Sequence, residues 1–391
     1  MARARLSASL LQQVPYQAPT WASSLDAPRH RVVLGHWPTP LMPWANPALK
    51  ELNVRWSLKR DDVCGVELSG NKTRKLEFLL SEALANGHDS VVTVGGLQSN
   101  HCRATAVCAK LLGLEPHVVL LVKDQMLQED PGLSGNLLPM RLSGATLHLC
   151  PASAYRAAGG DLAAADHLNE EVAEQLRRRG RDPYVIPVGG TTPLGTWGYL
   201  NAVEEFQQQL TELEDPIDHI LVPCGSGGTF AGLAVGFHLA QLDGDARRCR
   251  LHGVNIQHHP AAYHELIRRE AAGLGCSSWA PVTLVDGSGA GYAVAGEAEL
   301  RFLMDVAGAG VILDHTYAGK ALYHFCDGQL AFSVAVPLTM QIMQDYAKVH
   351  PERFRDSHIL FWHTGGLFGL YTQAERLQKM LPAEQLQVYN S

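Results

Sequence analysis

The sequence predicts an α/β protein: two open, twisted, mostly parallel sheets flanked by helices, with a ligand cleft between two domains. Three observations predict it. Short β-branched apolar runs alternate with segments of helical spacing along most of the 391 residues, the pattern of parallel sheets covered on both faces. These runs are too many for one small sheet. Glycine-rich turns at 95–96, 189–190, 225–228 and 365–366 close several of them, at the carboxyl ends of strands where open α/β sheets bind ligands.

The elements follow in order. Trp37 to Pro43 is proline-punctuated and therefore extended. Asn53 to Lys59 alternates and reads as a strand. Leu76, Leu79, Leu80, Ala83 and Leu84 then recur with helical spacing behind Gly70-Asn-Lys72. Ser90 to Val94 is a strand, and a helix opens at Ser99 or Asn100, both good N-caps. Strands are predicted over 117–122, 146–150, 184–188, 219–223, 251–256, 282–285, 311–313 and 358–362. Helices are predicted over 135–142, 161–179 and 195–210 and after Thr229. The alternation divides the chain into residues 1–79, a leader and the first part of a large domain; 80–200, a small α/β domain; and 201–391, the rest of the large domain.

Composition narrows the function. With 32 basic and 39 acidic residues the net charge is −7, and no block of like charge stands out. The basic run at Arg177–Arg179 and Arg181 closes a predicted helix, where cations suit the dipole. A nucleic-acid partner is therefore not expected. Nor is a membrane partner, because no apolar run approaches the length of a span. The eight cysteines form no Cys-x-x-Cys pair and the histidines no His-Glu-x-x-His, so reduced thiols, no metal site and a cytoplasmic location are expected. Met1 to Asp26 has arginines at 3 and 5 and no acid before Asp26. That composition fits a disordered leader or a mitochondrial transit peptide, and the leader is preferred.

Two stretches carry chemistry. Gly70-Asn71 delivers Lys72 to a helix start, where the dipole disfavours a second positive charge and desolvation lowers an amine pKa. A neutral amine is what a Schiff-base lysine needs. Lys75, one turn on, is expected to face elsewhere. Gly225-Ser226-Gly227-Gly228-Thr229 lies between a strand and a helix, where backbone N–H groups and the Ser226 and Thr229 hydroxyls can cradle a phosphate. It matches neither the Walker loop nor the dinucleotide fingerprint, and the same glycines also suit a tight turn without a ligand. Gly95-Gly-Leu-Gln-Ser-Asn-His101 is a third polar loop. It can hold anionic oxygens or simply cap its helix.

Gly70-Asn-Lys-Thr-Arg-Lys75, Gly95 to His101, Val188-Gly-Gly190 with Gly195-Thr-Trp-Gly-Tyr199, Gly225 to Thr229, Tyr317-Ala-Gly-Lys-Ala321 and His363-Thr-Gly-Gly366 occur in this order. Over roughly Thr39 to Leu370 the chain resembles the D-cysteine desulfhydrase and 1-aminocyclopropane-1-carboxylate (ACC) deaminase family, whose members use pyridoxal 5'-phosphate and share the tryptophan-synthase-β fold type. The resemblance implies that Lys72 bonds the cofactor, Asn100 meets its phenolic oxygen, and Ser99 faces the substrate. It places Gly225 to Thr229 on the phosphate, Tyr317 near the ring with Tyr292 as a second pocket tyrosine, and Thr364 beside the pyridine nitrogen. It implies a small amino-acid substrate and a homodimer. The reaction expected is β-elimination of D-cysteine to pyruvate, hydrogen sulfide and ammonia. ACC deamination, or elimination from D-serine, cysteate or chloroalanine, is the alternative, and a cofactor carrier without turnover is the rival outside enzymes.

Two departures mark the chain. Ala318 stands where deaminases of the family carry Glu and desulfhydrases Ser or Thr, while Thr364 follows the desulfhydrase pattern. The chain is also longer than expected between Tyr317 and Thr364. There, 331–346 is amphipathic after Pro337 and is expected to form an extra surface helix or a subunit contact.

Overall fold

The computed structural model describes residues 10–243, 249–256, 260–327, 342–343, 347 and 350–381. Among the described residues, thirteen short strands build three sheets. Gln13–Pro15 (β1) and His30–Val32 (β2) pair as an antiparallel ribbon. Leu41–Trp44 (β3), Arg55–Arg60 (β4), His219–Cys224 (β9), Arg250–Asn255 (β10), Val282–Asp286 (β11), Ile342–Met343 (β12) and His358–His363 (β13) form the large sheet. Its order is β12-β11-β10-β9-β13-β4-β3, and β3 is antiparallel to its neighbour. Ser90–Gly96 (β5), Glu115–Val122 (β6), Thr146–Pro151 (β7) and Pro183–Ile186 (β8) form a parallel small sheet in the order β7-β6-β5-β8. The expected α/β architecture of two mostly parallel sheets is therefore the observed one. Among the described residues no helix is long and apolar enough to cross a membrane.

The central strands are buried on both faces. Every residue of β9 and β13 is buried, as their uninterrupted apolar character requires. Helix Lys72–Ala85 packs on helices Pro193–Leu210 and Asn100–Leu111, and so bridges the two sheets. It is buried nearly all round, with Thr73 to Ser81 all out of solvent. A helix so enclosed must satisfy its polar side chains internally.

It does so through two carboxylate clusters. The Arg74 guanidinium donates to Asp61 Oδ1 at 2.7 Å and to both oxygens of Glu205 at 3.0 Å. Lys59 Nζ also meets Glu205, and Tyr199 and Trp362 each donate to Asp61 Oδ2 at 2.9 Å. Two cations face two anions with little water around them, and the arginine and lysine hold both carboxyls below the ordinary range. Three residues further along, Glu77 accepts from the backbone N–H groups of Leu34 and Gly35, from Trp37 Nε1 and from Arg31.

Three expectations change. Leu10 to Asp26 is an ordered arm and not a disordered leader: β1 pairs with β2, and Tyr16 packs edge-on against Phe78 and Trp197. Its apolar residues have a prepared surface, which composition does not reveal. Val311 to Leu313 forms no strand; it is irregular chain leading into the turn at His315 to Tyr317. In the expected surface helix at 331–346, Ile342 and Met343 pair with β11 as a strand; the rest of that segment lies outside the described residues.

Replacing Arg74 by Leu leaves Asp61 and Glu205 buried with one cation between them. The expected loss is about 3–5 kcal/mol, as for removal of one partner of a buried ion pair, read from urea unfolding of the parent and the variant.

Candidate active site

The carboxyl ends of β5, β8 and β9 converge on one cleft. Lys72, Gly95, Gly96, Ser99, His101, Gly189, Ser226, Tyr292 and Tyr317 line it, with Leu121, Tyr155, Leu162 and Ala165 of the small-sheet half closing one side. A wider hollow of about 680 Å³ opens at the amino ends of β9, β10 and β13, around Asp215, His219, Arg250 and Ser357, opposite the glycine turns.

Lys72 begins its helix behind Gly70, whose φ of +108° disfavours any other residue. A Cβ at Gly70 would meet the Thr364 carbonyl at 2.7 Å, and that carbonyl accepts from Asn71 N–H at 3.1 Å. The end of β13 thus fixes where the lysine starts. Burial brings the Lys72 amine down to about 8.

Lys75 does not face elsewhere. Its Nζ donates to the Gly189 carbonyl at 3.1 Å and lies by Thr191 Oγ1. A Cβ at Gly228 would meet that Nζ at 2.5 Å and Thr191 Oγ1 at 2.6 Å. Burial, with Lys72 adding, pulls this amine well below its usual range. The side chains converge because residues three apart share a helix face.

The cradle is built around this second lysine. Helix Gly228–Leu239 starts there, so its first N–H groups lack intrahelical partners. Gly227 has φ of +83°. Ser226 Oγ pairs with Thr191 Oγ1 at 3.0 Å, and Thr229 Oγ1 accepts from Asn71 Nδ2 at 2.9 Å. Open N–H groups, three hydroxyls, a buried amine and no room for a Cβ fit a phosphate. The phosphate of pyridoxal 5'-phosphate would be held here, and Lys72 is the amine beside it: a Cβ at Gly189 would meet Ser226 Oγ at 2.1 Å and Lys72 Nζ at 3.3 Å.

The remaining sequence-predicted residues divide. Ser99 caps helix Asn100–Leu111, accepting from Cys102 N–H at 3.2 Å, which leaves its own hydroxyl hydrogen free to donate. Tyr292 and Tyr317 meet through their hydroxyls at 2.6 Å. Tyr292 packs on Gly96 and Tyr317 on Gly225, with 3.0 Å from each ring to where a Cβ would stand. Burial pushes Tyr292 up to about 12 and Tyr317 well above its usual range, so both stay protonated. Asn100 and Thr364 are buried beside the cleft and do not line it. The Asn100 oxygen accepts from Asn136 Nδ2 at 2.9 Å, and Asn136 accepts from Arg103 at 2.8 Å. That chain of contacts orients the Asn100 amide with its NH₂ uncommitted.

Sequence reasoning missed Lys75, Thr191, Asn136, Tyr155 and Lys320. Lys320 lay in plain view in Tyr317-Ala-Gly-Lys320. It donates to the carbonyls of Gly291 at 3.1 Å and Val294 at 2.8 Å, tying down the loop that carries Tyr292. Tyr155 sits in a short helix with no motif to mark it.

Replacing Gly228 by Val should displace Lys75 and Thr191 from the cradle. Cofactor affinity is expected to fall about tenfold or more, the worth of one charge-assisted hydrogen bond, as measured by equilibrium dialysis. Parent-like affinity would move the cradle elsewhere.

Comparison with known proteins agrees with the geometry. A family model described as "Pyridoxal-phosphate dependent enzyme" matches residues 32–335. The bifunctional D-cysteine desulfhydrase/1-aminocyclopropane-1-carboxylate deaminase, mitochondrial, of Arabidopsis thaliana is 40% identical over 96% of this chain and 88% of its own length. A D-cysteine desulfhydrase of Salmonella choleraesuis is 34% identical over 80% of this chain and 87% of its own. A crystal structure of an ACC deaminase homologue superposes with a TM-score of 0.73 at 33% identity, covering 91% of this chain and 97% of that one. By fold, cleft and likeness this chain belongs to the pyridoxal-phosphate-dependent enzymes, as a lyase of the family that contains the D-cysteine desulfhydrases and ACC deaminases.

Proposed function

We propose that the enzyme eliminates sulfide from D-cysteine, giving pyruvate, hydrogen sulfide and ammonia. The observation that carries this reading is Ala318. A buried methyl follows Tyr317 where deaminases of the family carry glutamate, and Thr364 comes directly after β13. The Asp314 carboxylate, nearby in sequence, is engaged by the N–H groups of Thr316, Tyr317 and Ala318 at 2.8–3.0 Å. A threonine hydroxyl at a pyridine nitrogen leaves that nitrogen unprotonated, whereas a carboxylate there would raise its pKa. Elimination of a good leaving group needs less electron withdrawal than opening a cyclopropane without an α-hydrogen. The eight free cysteines support a reducing compartment.

When bound, pyridoxal 5'-phosphate withdraws electrons from the α-carbon of an amino acid. The chain supplies the rest. Lys75, Ser226, Thr229 and the N–H groups of Gly225 to Gly228 would hold the cofactor's phosphate, and the Asn100 NH₂ is the group that would meet its phenolic oxygen. The Ser99 hydroxyl donates to the substrate carboxylate. Lys72, with an amine near 8, is the base: the α-C–H bond breaks and its proton moves to Nζ. The two tyrosines, held protonated, are acids: as the Cβ–S bond breaks, the sulfur leaves with the electron pair and takes a proton from the pair. The unsaturated amino acid is then hydrolysed by water.

Borohydride reduction of the yellow holoenzyme and peptide mapping should place the pyridoxyl group on Lys72. Label on Lys75 would exchange the roles of the two amines. Tyr292→Phe should lower kcat on D-cysteine about a hundredfold, the usual worth of a general acid.

Reaction choice is tested at the two departures. Wild type should desulfhydrate D-cysteine and deaminate ACC little. Ala318→Glu with Thr364→Leu should lose desulfhydration about tenfold or more and gain measurable ACC turnover. A wild type faster on ACC than on D-cysteine would promote deamination to the main reading.

A further inference from the structure

We infer that His101 positions Lys72: it is a neutral imidazole, locked as its Nε2–H tautomer, whose Nδ1, unpaired in this structure, accepts a hydrogen bond from Lys72 when that amine takes up a proton. The inference rests on Lys72 being the cofactor-bearing base.

The tautomer follows from counting hydrogens. Thr93 Oγ1 lies 2.9 Å from the Ile186 carbonyl and 2.9 Å from His101 Nε2. A hydroxyl has one hydrogen, and a carbonyl has none to give. The Thr93 hydrogen therefore goes to Ile186, which also accepts from Asn169 Nδ2 at 3.0 Å with its second lone pair. Toward His101, Thr93 can only accept, so Nε2 carries the hydrogen. In the neutral ring Nδ1 then holds the lone pair.

That lone pair is buried and has no partner among the described residues. Buried acceptors are seldom left so. The ring lines the cleft together with Lys72 and Ser99. Its Cε1 is 3.3 Å from where a Cβ on Gly190 would stand, and the Lys75 stem is 3.7 Å from the same point. Two amines of the neighbouring helix act on the ring electrostatically, those of Lys72 and Lys75. Lys75 is turned to Gly189 O and Thr191, and of the two only Lys72 lines the cleft with the ring, so Lys72 is the donor assigned to Nδ1. Burial and the two lysines hold His101 far below its usual range, so it accepts without taking a proton.

The consequence is for the proton-transfer step. When the α-C–H bond breaks, an N–H bond forms on Lys72 and a positive charge appears in a dry cleft. Nδ1 receives that N–H as a hydrogen bond, and the proton stays on Lys72. A lone pair aimed there beforehand needs no reorganisation when the charge develops.

The test uses the holoenzyme. In protein labelled with ¹⁵N-histidine, the His101 signals are identified by their loss in His101→Gln. A hydrogen on Nε2 and none on Nδ1 near neutral pH is expected; a hydrogen on Nδ1, or on both nitrogens, overturns the inference. His101→Leu should then lower kcat on D-cysteine about tenfold, one lost hydrogen bond to a charged group, with KM and cofactor content unchanged and a larger α-deuterium isotope effect. His101→Gln, whose amide offers both a donor and an acceptor, should recover part of the loss. Thr93→Val, which only frees the ring to change tautomer, should fall between and serves if His101→Leu does not fold. An isotope effect and kcat equal to the parent's in these variants overturn the inference. Borohydride label on Lys72 alongside that result leaves the proposed reaction standing, whereas label on another lysine removes both.

Discussion

The buried contact of Arg74 with Asp61 and Glu205 is the constraint on which the site depends. Arg74 lies two residues beyond Lys72 on the same helix, so its guanidinium fixes the rotation of that helix about its own axis. Asp61 follows β4, Glu205 belongs to helix Pro193–Leu210, and Trp362, which also binds Asp61, is on β13. One planar fork thereby joins the large sheet and two helices. A lysine ammonium in its place could not reach both carboxylates in that plane. Ion pairs of this depth add little net stability over a well-packed apolar equivalent, but they penalise every other register.

The network also explains the electrostatics of the cleft. Lys59, Arg74, Asp61 and Glu205 sum to zero, so they leave the two cleft lysines largely uncompensated. Burial then pulls both amines toward neutrality. An uncompensated buried amine is a poor resting state and a good receptor for an anion. On the proposed reading the anion at Lys75 would be a phosphate, and at Lys72 the same burial favours the unprotonated amine that bonding an aldehyde requires. One physical cause prepares two lysines for two tasks, and the difference lies in what each meets: a carbonyl and a helix N-terminus for Lys75, the open cleft for Lys72.

The fold was legible in the sequence because parallel strands buried on both faces read as uninterrupted apolar runs, as in His358 to Trp362. The glycine turns were legible because backbone that approaches an anion or a tyrosine ring tolerates no Cβ. Lys72, Ser99 and Ser226, which line one cleft, were picked out this way. Lys75 was misread because two lysines on one helix look like a solvated face, and only tertiary contact shows that the face is covered. Asn136 and Thr191 act on Asn100 and Ser226 across 36 and 35 residues of chain, a pairing that no local pattern records. The arm at 10–26 was misjudged for the same reason: its partners are distant.

That arm has a consequence for synthesis. Tyr16 is seated between Phe78 and Trp197, and Trp21 donates to Glu204 at 2.7 Å. Domains generally begin to fold as the chain leaves the ribosome, amino end first. Here Leu10 to Asp26 must wait for nearly two hundred residues before its seat exists. The arm is thus made well before it is settled, packing against Phe78 and Ser81 of the Lys72 helix after that helix's own neighbours have assembled.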